Sequence, residues 1–227
     1  MSLKRWTKEG LDAAFAPYMG EHPPDSPQGR KRARILRAAT ELFLTQGYRR
    51  TSVDDVARKA EVAKGTVYLY FENKGALLTS AIALEKKELL YEQIQLLGGD
   101  MPGRERLRAW LVLMFTAPSK MPLSARLLSG DAELAAALED IGSAKIAERQ
   151  AEGREWIAEL FELAAPGQLT DAQKRERADM LIAMGYAAGT FLNERVRGGR
   201  SLMEFAGQLA DTLIDGALPR AHKGKSK

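Results

Sequence analysis

The sequence predicts an all-α protein, and three observations predict it. Apolar residues recur at helical spacing along most of the chain. No stretch shows the two-residue alternation of a half-buried strand. The periodic stretches are separated by glycine- and proline-bearing breaks, several followed by helix-capping residues.

Taken in order, residues 1–29 read as a flexible N-terminal extension. Pro17, Pro23, Pro24 and Pro27 remove backbone donors there, leaving room for a short helix around Leu11 to Phe15. Regular periodicity starts at Arg30: Ile35, Ala38, Ala39, Leu42 and Phe43 form one apolar stripe, which Gly47 is placed to end. A second helix opens at Thr51 or Ser52, with Asp54 and Asp55 complementing the helix dipole in its first turn. A break at Glu61 to Ala63 precedes a two-turn helix over Lys64–Phe71, and a long helix runs from about Lys74 toward Leu97.

Gly98-Gly99-Asp100-Met101-Pro102-Gly103 interrupts the pattern. Further helices are expected at 103–117, 122–129, 131–165 with a break near Gly142, 170–197 and 201–217. Thr170 and Gln173 have capping-box spacing at the head of one of them. Arg220 to Lys227 closes the chain as a basic tail.

Composition narrows the function classes. Without cysteine, disulfides, thiol nucleophiles and cysteine-based zinc sites are excluded, which fits a reducing cytoplasm. The longest mainly apolar run, Met180 to Leu192, falls short of the roughly 18 residues of a membrane span. The mixed segment after Lys4 and Arg5 lacks the apolar core of a signal peptide. Charge is unevenly placed: eleven basic and five acidic residues lie between Arg30 and Lys74, a net +6 in a chain of total charge +4. The remainder therefore carries −2, and a basic head of this kind suits a polyanion.

Two short helices around a tight turn, after a longer helix, have the layout of a helix-turn-helix. Ser52–Glu61 would cross the phosphate backbone, Val62-Ala63 would turn, and Lys64–Phe71 would enter the major groove. Gly65 and Thr66 are small residues at the start of that helix, letting the backbone approach DNA. Tyr68 and Tyr70 can give hydroxyls to phosphates and lay their rings on sugars or thymine methyls. Phe71 is assigned to packing.

The residues Thr51-Ser52-Val53-Asp54-Asp55-Val56-Ala57, Val62-Ala63-Lys64-Gly65-Thr66-Val67-Tyr68-Leu69-Tyr70-Phe71, Asn73-Lys74 and Leu77-Leu78 resemble the signature of TetR-family transcriptional regulators. Ala38-Ala39, Leu42-Phe43 and Gly47-Tyr48 match that family's first helix, so the resemblance covers about residues 30–78. It implies that Lys64 and Leu69 read sequence, that Lys74 binds phosphate, and that Thr51 or Ser52 does so from the preceding helix. Two departures stand out. The family usually has glycine at Glu61 and often serine at Ala63, so a left-handed turn without its usual residue and an uncapped recognition helix are expected.

The resemblance further implies a helix-turn-helix domain over 30–75 and a helical effector-binding and dimerisation domain over 76–219, ahead of the tail at 220–227. The partners would be operator DNA, a small-molecule effector and a second copy of the chain, with repression as the usual mode. Activation, or regulation without a small-molecule ligand, is the alternative within the family. Candidate dimer residues are Leu181, Gly185, Ala188, Gly189 and Leu192, then Leu202, Phe205, Leu209 and Leu213. Burial of both helices inside their own subunit is the competing reading. Trp110, Met114, Phe115, Arg126, Trp156, Tyr186 and Phe191 are the candidate pocket residues.

A helical enzyme and an interaction module that has lost DNA binding are the rival classes. The only histidines, His22 and His222, fall in the expected flexible ends, and Glu133, Glu139 and Asp140 lack ligand spacing. No catalytic residue, metal ligand or cofactor is therefore expected. The intact Gly65-Thr66, Tyr70 and Lys74 set argues against the module.

Overall fold

In the computed structural model, which describes residues 7–98, 100–139 and 144–218, all regular structure among the described residues is helical. The helices are α1 (Lys8–Met19), α2 (Pro27–Gln46), α3 (Val53–Lys59), α4 (Lys64–Tyr68), α5 (Lys74–Gly98) and α6 (Gly103–Lys120). They continue as α7 (Pro122–Leu128), α8 (Ala132–Glu139), α9 (Ala144–Ala164), α10 (Asp171–Ala187), α11 (Glu194–Arg197) and α12 (Leu202–Ala217). The expected break near Gly142 and the tail at 220–227 lie outside the described residues.

The expected loose N-terminal extension is corrected first. Thr7 caps α1 through the Gly10 amide, and the helix continues through Pro17 to Gly20, where φ is 80°. Tertiary contacts outweigh the proline: Leu11 and Phe15 are buried, and Asp12 meets Lys87 at 2.7 Å and the Tyr91 hydroxyl. Helix α2 likewise starts three residues before Arg30. Ser26 accepts the Gly29 amide at 2.9 Å, and Pro27 fills the first position, where no donor is needed.

The described chain divides into two compact units, residues 7–91 with 119–139 and residues 92–118 with 144–218. The first extends past the expected boundary at 75 because α7 and α8 join its core. Ile35, Phe43, Val56, Val67, Leu77 and Leu78 pack there with Leu123 and Leu134. Glu85, buried on α5, accepts the Leu123 and Ser124 amides at 3.0 and 2.9 Å and so caps α7. Its burial still raises the carboxyl's pKa above the ordinary value, against the pull of those bonds.

The second unit centres on Leu107, Leu111, Phe115, Phe161, Leu181 and Ile214. A Cβ at Gly103 would stand 1.8 Å from the Leu163 carbonyl oxygen, so α6 and α9 approach where only glycine fits. Capping boxes open α10 at Thr170/Gln173, as the spacing predicts, and α12 at Ser201/Glu204. The single helix expected over 170–197 is broken. A 3₁₀ turn spans Ala188–Leu192, and Asn193, in extended backbone, caps the short α11 through the Arg195 amide.

Candidate nucleic-acid interface

The helix-turn-helix is built on α3 and α4. Ser52 accepts the Asp55 amide at 3.1 Å while the Asp55 carboxylate accepts the Ser52 amide at 3.1 Å, closing a reciprocal capping box. The Ser52 hydroxyl, donating at 2.6 Å, and the Ser52 amide hold the Asp55 carboxyl below its usual range. Val56, Ala57, Ala60 and Val67 bury the inner faces of both helices against α2 and α5.

The turn carries the expected departures. Glu61 is the one non-glycine residue with positive φ among the described residues, at 53°. Ala63 occupies the cap of α4 and provides no side-chain bond. Ala63→Ser supplies the missing acceptor and is expected to stabilise the protein by about 0.5–2 kcal/mol, read from chemical denaturation. An unchanged denaturation midpoint would show that this helix end is satisfied otherwise.

The outer face of α4 is open. Leu69 is 83% exposed and Tyr68 48%, and a Cβ at Gly65 would meet nothing within 4 Å. No packing inside the chain therefore demands glycine at 65. Lys64 is exposed and rests on Asp54 at 2.6 Å, a contact that raises its pKa. An exposed ion pair of this kind contributes little, so the lysine can exchange partners readily. Thr66 and Tyr70 are half-buried, and Tyr70 meets the His22 ring edge-on at 6.3 Å. The helix itself stops at Tyr68. Phe71, 3% exposed, belongs to the core.

Of the expected phosphate contacts, Lys74 and either Thr51 or Ser52, each side chain has a partner within the chain. Thr51 is 1% exposed and its hydroxyl donates to the Gly47 carbonyl at 2.8 Å, so its side chain faces inward. The Ser52 hydroxyl is committed to the capping box. The Lys74 ammonium donates to the Tyr48 and Thr51 carbonyls at 3.0 Å each and lies 4.3 Å from the Tyr48 ring centre. Burial lowers its pKa, with the Glu133 charge opposing. The cause is the fold of residues 48–51, whose carbonyls converge on Lys74.

Arg126, a candidate pocket residue, lies in the first unit, where it pairs with Asp131 at 2.5 Å and donates to the Phe43 carbonyl at 3.1 Å, on the C-terminal end of α2. Glu133, which lacks ligand spacing in the sequence, accepts the Arg49 amide. Nothing in the local sequence marks these main-chain contacts, because the amide and carbonyl concerned lie more than eighty positions away.

In the second unit, Trp110 meets Trp156 at 5.5 Å, Phe115 meets Phe191 at 5.6 Å, and Phe191 meets Phe205 at 5.3 Å. Met114 lies against Gly185, and Tyr186 is 44% exposed. The dimer candidates divide. Leu181 and Ala188 are buried within their own unit. Gly185, Gly189, Leu202, Phe205, Leu209 and Leu213 are half-buried, and Leu192 is exposed.

Residues 35–81 match the model of the tetR family of bacterial regulatory proteins. The helix-turn-helix head is thus of the TetR type. Among curated TetR-like relatives, the transcriptional repressor KstR of Rhodococcus jostii is 35% identical over 123 residues, 51% of this chain and 56% of that protein. The chain spans about half the length of the curated relatives it matches. Two solved structures share the fold over most of the chain. A TetR/AcrR-family regulator from Thermobifida fusca has a TM-score of 0.65 at 23% identity, covering 84% of this chain and 100% of that one. FadR of Bacillus subtilis, solved with stearoyl-CoA, has a TM-score of 0.56 at 20% identity, covering 81% and 98%.

Proposed function

We propose that this protein is a cytoplasmic, sequence-specific transcriptional regulator. It binds a palindromic operator as a homodimer, represses from it, and is released by a small-molecule effector. The observation that carries this reading is the open face of α4. Lys64, Gly65 and Tyr68 stand outward on a helix whose inner face packs through Val67, with Leu69 outward at its end, in a head of net positive charge. Lys64 and Leu69 are the sequence readers, while Tyr68 and Tyr70 serve the backbone.

Dimerisation rests on the exposed apolar side chains of the second unit, Met180, Tyr186, Leu192, Val196 and Met203. A two-fold pair of heads reading successive major grooves would stand about 34–36 Å apart. The Trp110–Trp156 pair and the Phe115, Phe191 and Phe205 cluster support an apolar effector, and the buried, unpartnered indole N–H of Trp110 favours one carrying a hydrogen-bond acceptor. Long-chain acyl-CoA thioesters are the first class to screen, given the ligand of the FadR structure.

The test is binding to a duplex enriched from a random-sequence library, followed across salt. A dimer neutralising roughly six to ten phosphates loses about 10³- to 10⁵-fold in affinity between roughly 50 and 200 mM salt. The enriched sequences should show two-fold symmetry. Failure to enrich any sequence over random DNA overturns specific regulation.

A further inference from the structure

The loop between α2 and α3 is gripped from two sides by opposite charges. On one side the Lys74 ammonium collects the carbonyls of Tyr48 and Thr51, with Arg49 further off at 3.5 Å. On the other side the Glu133 carboxylate takes the Arg49 amide and lies 3.5 Å from where a Cβ of Gly47 would stand. A cation on carbonyls and an anion on an amide hold the same five residues through their main chain. Ser52, the cap of α3, follows directly.

Glu133 is itself firmly seated. Asp131 accepts the Glu133 and Leu134 amides at 3.1 Å, capping α8, and Leu134 is 1% exposed in the core. Arg126 ties Asp131 to the last turn of α2. The corner from α7 to α8 is thus tied to α2 through Arg126 and to the core through Leu134, and the carboxylate is presented at a set place.

We propose that Glu133 is a positioning residue for DNA binding: with Lys74 it sets the 47–51 loop, and through that loop the placement of α3 and the recognition helix. This rests on the DNA-binding reading above. It assigns Lys74 to the same task. It also gives the 119–139 segment a part in operator binding without its touching DNA.

The test compares Glu133→Ala and Glu133→Gln in the full chain, reading affinity for the enriched duplex and hydrogen exchange at the Arg49 and Phe43 amides. The amide oxygen of glutamine still accepts from Arg49; alanine cannot. Glu133→Ala should lose about tenfold in affinity and protection at Arg49, with Phe43 exchange unchanged, while Glu133→Gln should restore most of both. Wild-type affinity in Glu133→Ala overturns the proposal, whether or not Arg49 exchange quickens. So does equal quickening at Phe43, which would make Glu133 a general stabilising residue. If the wild-type protein enriches no duplex, the DNA reading fails, while unchanged Arg49 exchange in Glu133→Ala would separately show that there is no clasp.

Discussion

Gly65→Asp is expected to abolish DNA binding while leaving the fold intact. The site is open, so the new side chain meets no neighbour, and a carboxylate in the first turn of α4 complements the helix dipole. Against DNA the same carboxylate faces phosphates at the closest approach of the helix. Like charges brought together at an interface cost several kcal/mol, so affinity should fall by at least about 100-fold with an unchanged melting temperature. Gly65→Ala sharpens the result. It should slightly stabilise the helix, so any loss of binding arises on the DNA side. A Gly65→Asp protein that binds as tightly as wild type would remove α4 from the interface.

Phe43→Ala should act the opposite way, through stability. The ring is fully buried, packs 5.4 Å from Tyr48, and sits where α2 receives Arg126 through its carbonyl. Removing it costs about 3–5 kcal/mol, a large share of the roughly 5–15 kcal/mol that holds a domain folded. Urea denaturation should show the loss, and DNA binding should fall with the folded fraction. Phe43→Leu, which keeps most of the volume, should be milder. A melting temperature within about 2 °C of wild type for Phe43→Ala would mean that this core can collapse around the gap.

These two variants touch the parts of the molecule most legible in the sequence. The stripe of Ile35, Ala38, Ala39, Leu42 and Phe43 is a local pattern, and its spacing alone puts it on one buried face. The helix-turn-helix is local too: Ser52 with Asp55, the left-handed Glu61 and the uncapped Ala63 lie within twelve residues. Short-range steric and hydrogen-bonding rules suffice for such features.

What the local sequence left unread has a different origin. Pro17 argues against a helix, yet α1 forms because Leu11 and Phe15 find burial and Asp12 finds Lys87 and Tyr91. Lys74 and Thr51 resemble phosphate ligands in a motif, but a motif does not say which way a loop's carbonyls point. Leu181 and Leu192 are alike as letters on a helical stripe, and only packing separates the buried one from the exposed one.

What the sequence by itself determined was the helical class, the capped and uncapped helix ends, and the TetR-type reading head, since all follow from neighbours along the chain. The tertiary structure alone decided that residues 119–139 complete that head, with Arg126 and Glu133 binding the main chain of α2 and its following loop. Backbone amides and carbonyls are the same at every residue, so a side chain that recognises them leaves no complementary letter in the sequence to be read.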